Sequence, residues 1–453
     1  MRRFFLSLSA MVLAAASLAS ASATLLLEEP YGRLGFFTAT GHAAVYLSGV
    51  CADSPTVLRH CAPEEAGVVI SRYDGIDGYD WLAIPLVPYL YAVERSEDVP
   101  LFADARMVAF LRDQYRRNHL EQFAPDAANG KAPGGIWYQL VGASYDRTIY
   151  GFQIETTPAQ DDALILKLNS SPNRSHFHLL SNNCADFAKA IIDFYYPKSV
   201  HRSFIADVGI TTPKQLAKTL TKFDAHHPEI QLSRLVIAQV PGTMPRSSAA
   251  HGVVESFFKS KKYIVPSAVV SPIFAGCVFA VYVGTGSGRF DAGHNALVFN
   301  PDGNPEEPLS PADRTAYRRQ LKSLMAETGS AASSSVASAK NVDKEWEKRQ
   351  SKARTAFDDQ GAPILQMQLE GRLIQVGAAA GNIMNPDAPP PLVREILEAR
   401  LQSELRHPTP HISRDTVVRD WNLLEEAQRQ MAEGTSTLTA LSLANTAAFA
   451  AGP

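Results

Sequence analysis

The sequence has little charge imbalance, few cysteines, no internal repeat and no His, Cys and Asp spacing that suits a metal. Each shortage excludes something. A formal net charge of −3 over 453 residues offers no field for a polyanion, so nucleic acid is not an expected partner. Without a metal-ligand pattern no metal or other cofactor is expected. Gly284-Thr285-Gly286-Ser287-Gly288 is glycine-rich but lacks the lysine and the strand-to-helix context of a phosphate loop. No repeat resembles a cell-wall-binding module. What the chain does have is length, roughly three typical domains, with ordinary apolar content and so the means to build sizeable cores.

The first 23 residues read as a secretory signal, with Arg2-Arg3, an apolar stretch from Phe4 to Leu18 and the small-residue end Ala21-Ser22-Ala23. Cleavage is expected before Thr24; an uncleaved anchor is the competing reading. Export to the periplasm or cell envelope puts the four cysteines in an oxidising compartment. Cys51 and Cys61 flank a short loop containing Pro55 and are expected to form a disulfide. Cys184 is then an unpaired thiol in an exported protein, and reactivity is one reason for such a thiol to exist.

From about Leu25 to Pro197 the pattern is that of an α/β (α+β) unit. Strand-like runs at Ala43 to Leu47, Gly67 to Ile70 and Thr148 to Ile154 alternate with helical patterns at Asp104 to Gln122 and Pro158 to Leu168. Thr212-Pro213 marks another helix start, with Thr212 as N-cap. The Pro/Gly/Ser-rich stretch Pro241 to Ser248 reads as a domain boundary, ending a first domain of residues 24–245. Tyr263 to Gly288 carry no charged side chain and are expected to associate with a membrane, as a transmembrane helix or, given Pro266 and Pro272, a broken one. Residues 300–453 are expected to be mostly helical: a partly helical Asn300 to Ala326, a flexible Gly329 to Ala339, a charged helix at Val342 to Phe357, and helices from Pro389 to about His407 and from Arg414 to Met431. A hairpin turns at Glu370-Gly371 between Leu365–Leu369 and Leu373–Val376. No chemical motif stands in this half.

The chemistry gathers at Ser181-Asn182-Asn183-Cys184, which opens the amphipathic run Ala185 to Phe194. A helix start has unpaired N–H groups and the positive end of the dipole, and both favour a thiolate. On a helical wheel Cys184, Phe187, Ala188, Ile191 and Tyr195 share one stripe, which aims the thiol at a sheet. His42, at the start of a strand-like segment, is the candidate base. Backbone at Cys184, with the adjacent Asn182 and Asn183, is the candidate oxyanion region. A lone cysteine on an apolar stripe is ordinarily a small buried hydrophobe, and a lone histidine near a strand is ordinarily structural. Together, in an exported chain, they point to catalysis. His176 and His178, on one side of an extended segment, are candidates for substrate contact, and His226-His227 reads as a helix terminus.

The order Gly41-His42, then Arg147-Thr148-Ile149-Tyr150-Gly151-Phe152-Gln153-Ile154, then Leu180-Ser181-Asn182-Asn183-Cys184 resembles a circularly permuted papain-like domain of the NlpC superfamily, in which histidine precedes cysteine. Within it the chain is most similar to the periplasmic domain of Lnb-type lipoprotein N-acyltransferases, over roughly Thr38 to Pro197. The resemblance implies an antiparallel sheet packed on the cysteine helix and a Cys–His enzyme working on acyl groups, with Cys184 as nucleophile and His42 as base. It implies a lipoprotein or envelope-peptide substrate. The third residue, which orients the imidazole, has no clean match; Ser71, Arg72 and Asp74 are its candidates. A cysteine peptidase or amidase of the envelope and a non-catalytic scaffold remain the alternatives.

Overall fold

The computed structural model describes residues 21–31, 39–73, 76–174, 177–301, 304–329, 353–357, 363–369, 372–377, 390–406 and 411–450. A seven-stranded sheet lies at the centre. Its strands are β1 (Ser22–Glu28), β2 (His42–Leu47), β5 (Val68–Ser71), β6 (Leu82–Pro85), β7 (Ile149–Glu155), β8 (Ser233–Ile237) and β9 (Leu297–Val298), in the spatial order β6-β5-β2-β1-β7-β8-β9. Every neighbouring pair is antiparallel except β8 with β9, so the sheet is mixed and not purely antiparallel. A separate hairpin, β3 (Val50–Ser54) with β4 (Val57–His60), carries the expected disulfide between Cys51 and Cys61, with an S–S distance of 2.09 Å.

Both faces of the sheet are covered, because alternate side chains of its strands are apolar in both directions. Leu25, Leu27, Val45, Ile70 and Phe152 face α5 (Cys184–Tyr195) and α6 (Pro213–Asp224), meeting Ala188, Ile191, Ile192, Leu216 and Leu220. Leu26, Ala44, Val69 and Ile84 face the other way. They join α1 (Leu86–Tyr91), α2 (Ala105–Tyr115) and the C-terminal helices Pro390–Arg406 and Arg414–Ala450 through Tyr89, Met107, Leu392, Ile396 and Leu424. Each side chain of this size taken fully out of water contributes about 1.5–3 kcal/mol. The Pro241 to Ser248 stretch is bonded into this body: Ser247 Oγ donates to Glu29 at 2.6 Å, and Thr243 N to Ala103 O at 3.1 Å.

The helices α3 (Ala143–Asp146) and α4 (Pro158–Ser170) complete the first half, and Thr212 caps α6 by accepting from Gln215 N. The Glu370-Gly371 hairpin forms between strands Pro363–Leu369 and Arg372–Gly377, with Leu369 opposite Arg372. The expected charged helix at Val342 to Phe357 does not extend to its end: Ala353–Phe357 is a strand that pairs with this hairpin, its β-compatible Thr355-Ala356-Phe357 finding a partner edge. The rest of that segment, and Ser330 to Ala339, lie outside the described residues.

The transmembrane helix expected between Tyr263 and Gly288 does not form. After α7 (Val253–Lys259) come α8 (Lys261–Val270) and α9 (Pro272–Thr285), broken at Ser271 with φ −145° and ψ 83°. Pro272 supplies no N–H and forces the residue before it out of the helical region. The two pieces rise about 15 Å and about 21 Å, short of the roughly 30 Å of a bilayer core. Among the described residues no helix is long and apolar enough to cross a membrane.

Candidate active site around Cys184 and His42

Helix α5 starts at Cys184 because Asn183 caps it. Asn183 Oδ1 accepts from Asp186 N at 3.0 Å and Asp186 Oδ2 accepts from Asn183 N at 3.2 Å, a reciprocal capping box worth about 1 kcal/mol. The Asn183 side-chain amide donates to Leu179 O at 2.9 Å and Thr211 O at 3.2 Å. Asn182 Oδ1 accepts from Arg72, itself paired with Asp80 at 2.5 Å. The Asn183 N–H and side-chain amide are thus spent on the cap and the loop, and the Asn182 side-chain oxygen accepts from Arg72. The donors left by the helix itself are the Cys184 and Ala185 N–H groups of the first turn.

His42 opens β2 directly opposite Glu28 of β1. The chain reaches it through Gly41 at φ +75°, where a Cβ would lie 2.1 Å from Glu28 O, so no other residue fits. Ser71, at the end of β5, lies 2.8 Å by its Oγ from His42 Nε2 and donates its single hydroxyl proton to Ala43 O at 2.8 Å. Its Oγ must then accept from His42, which fixes the proton on Nε2 and leaves Nδ1 to the thiol. Among the candidate orienting residues Ser71 is the one in place. Arg72 is engaged with Asp80, and Asp74 lies outside the described residues.

Behind the imidazole is a buried network that the sequence reading missed. Tyr73 stacks on His42 with ring centroids 5.0 Å apart. Its hydroxyl meets Tyr89, Tyr89 donates to Glu28, and Glu28 pairs with Arg147 at 3.0 Å. Both charges are almost fully buried. Glu28 at the end of the wholly buried run Thr24-Leu25-Leu26-Leu27 was the available signal, because a carboxylate there requires a partner.

Burial alone would raise the Cys184 thiol, but the adjacent His42 charge, the hydrogen bond between the two side chains and a bond from the Ala43 backbone outweigh it, and the thiol lies below its ordinary range. Burial likewise disfavours charge on His42. The Cys184 thiolate, the same hydrogen bond and, more weakly, Glu28 overcome it, so the ring lies above its ordinary range. The arrangement favours a thiolate–imidazolium pair.

The pair opens into a cleft of about 300 Å³. Ile136, Phe177, Leu179, Ile210 and Val253 give it apolar walls, and Arg72, Gln139 and Thr211 supply polar groups. His178 is exposed and bonds Ser181 at 3.0 Å, bracing the turn before Cys184; its partner in the expectation, His176, lies outside the described residues. His227 stacks on Phe223 at the end of α6. Cys277, in α9, is exposed and does not line the cleft. Gly286 is the left-handed cap of α9 and belongs to no phosphate loop. Comparison of the chain with protein-family models, curated proteins and solved structures finds no match.

Proposed function

We propose that this chain is an exported thiol enzyme of the permuted papain-like kind that forms an acyl-Cys184 intermediate and passes the acyl group to an amine, as in lipoprotein N-acylation, or to water. The observation that carries the reading is the Ser71–His42–Cys184 relay at a capped helix start facing a cleft. The thiolate attacks the acyl carbonyl and a C–S bond forms. The developing oxyanion meets the Cys184 N–H, and the His42 imidazolium gives its proton to the departing group as the old bond breaks. In the second half His42, now neutral, takes a proton from the incoming amine or water, whose attack expels Cys184 as thiolate. The apolar walls of the cleft favour an acyl chain over the polar peptide of a cell-wall substrate. Incubation with a diacyl lipoprotein or with a muropeptide, followed by mass spectrometry of Cys184, is the test: an acyl adduct from the lipoprotein supports transfer, a peptidyl adduct supports the amidase alternative, and no adduct from either defeats both.

Ser71→Ala removes the acceptor for Nε2–H. Loss of one buried hydrogen bond on the base is expected to lower kcat/KM by roughly tenfold and to move the acid limb of the pH profile upward, with Ser71→Thr restoring much of both. An unchanged profile would make Ser71 a packing residue.

Export also has a structural consequence. A cut before Thr24 removes Ser22 and Ala23 from β1, where Ala23 pairs with Leu47 and Ile154 and the Ser22 N–H donates to Ser48 Oγ at 2.8 Å. The small-residue triplet Ala19-Ser20-Ala21 allows a cut that keeps the whole strand. N-terminal sequencing of the mature protein is expected to begin at Ser22; a start at Thr24 contradicts this.

A further inference from the structure

The apolar segment after α7 is folded, but its surface is not covered. At the turn between α8 and α9, Val269, Val270 and Ile273 are 78%, 84% and 83% exposed, and Val265 and Phe274 are at least half exposed. Phe274 is half covered by Phe257 of α7, and the three residues at the turn stand in the open. An apolar patch of this extent marks a partner. Its charge pattern narrows the choice: between Glu255 and Asp291 there is no acidic residue, while Lys261, Lys262 and Arg289, with Lys259 that pairs with Glu255 at 2.8 Å, stand at the two ends of the hairpin, away from the turn. An apolar tip with a basic base matches a bilayer with anionic headgroups.

We propose that α8 and α9 form a hairpin that dips into one leaflet of an anionic phospholipid bilayer and does not cross it. The helices are too short to span, and both ends return to the enzyme body. The root of the hairpin is built from elements of the cleft. Phe257 and Phe258 of α7 pack on Phe274, Phe279 and Tyr282, and Lys218 of α6 donates to Thr285 O at 2.6 Å. Val253 at the start of α7 and Thr212-Pro213 at the start of α6 line the cleft itself. Docking therefore sets the cleft at a fixed place relative to the lipid surface. This goes beyond the acyl-transfer reading and does not depend on it, since it is measured without turnover.

The experiment is flotation of the full mature chain with vesicles of phosphatidylcholine and phosphatidylglycerol, compared with phosphatidylcholine alone. The unaltered chain is expected to float with the anionic vesicles and less with the neutral ones. Val270→Asp/Ile273→Asp, placed at exposed positions and shown by an unchanged melting curve to fold, is expected to lose roughly a hundredfold in partitioning. In a Cys184→Ala background, Cys277 of α9 is expected to be shielded from a polar maleimide when vesicles are present. Equal flotation of the double variant, failure of the unaltered chain to bind, or unshielded Cys277 overturns the proposal. So does a lipid-free dimer that the double variant abolishes, which would assign the patch to a second copy of the chain.

Discussion

Cys184→Ala is expected to abolish acyl capture and to reduce turnover by roughly 10⁴-fold or more, because no other side chain in the cleft can replace the nucleophile. The fold should survive. Alanine suits the first turn of α5, the cap is made by Asn183 and Asp186, and the packing of the helix rests on Phe187, Ala188, Ile191 and Ile192. The stability change is therefore expected within about 1 kcal/mol. Melting curves and adduct mass spectrometry on one preparation separate the readings. A stable, inactive variant identifies a nucleophile. A variant that keeps its activity makes Cys184 the small buried hydrophobe that an isolated cysteine on an apolar stripe usually is.

His42→Ala is expected to have the second largest effect, and its signature lies in pH. In the native chain the thiol is shifted down and the imidazole up, so as pH rises the thiolate forms below the ordinary thiol value of about 8.5 and the imidazolium persists above the ordinary histidine value of about 6.5. Between the shifted values the reactive pair dominates, and kcat/KM should be bell-shaped across that window. Without His42 the thiol keeps its burial, which raises its pKa, and retains only the Ala43 backbone bond among its stronger stabilising partners. The thiolate fraction at about pH 6.5, and with it the rate, should fall by two to four orders of magnitude. The acid that protonates the leaving group is lost as well. A decrease of the same size at every pH, with no change of shape, would instead indicate a positional role.

Much of this site was legible in the sequence because its signals are local. Asn183 before Cys184, Asp186 three residues later and apolar side chains at helical spacing define α5 from short-range rules alone. Gly41-His42 is local too, the glycine being required by a left-handed turn. The parts that escaped depend on pairing between distant strands. Glu28 meets His42 because β1 and β2 run in register, and Arg147 reaches Glu28 from just before β7, whose first residue Ile149 pairs with Glu28. No window of sequence contains that juxtaposition. Strand β1 itself was obscured by following an apolar stretch directly, so that its first residues read as the end of a signal. Asn183 was assigned to the oxyanion region because its place beside the cysteine was visible and the partners of its amide were not. The segment at Tyr263 to Gly288 shows the limit of composition: its length suggested a span, and Pro272 decided the geometry.

Whether His42 holds Cys184 as a thiolate is read directly from the rate of iodoacetamide alkylation of Cys184 in the native chain as a function of pH. Mass spectrometry resolves the modified peptides, with the exposed Cys277 as internal comparator. Rapid labelling of Cys184 is expected well below about pH 8.5, lost both in His42→Ala and on unfolding. Labelling of Cys184 that follows an ordinary thiol curve, or that appears only once the chain is denatured, would contradict it.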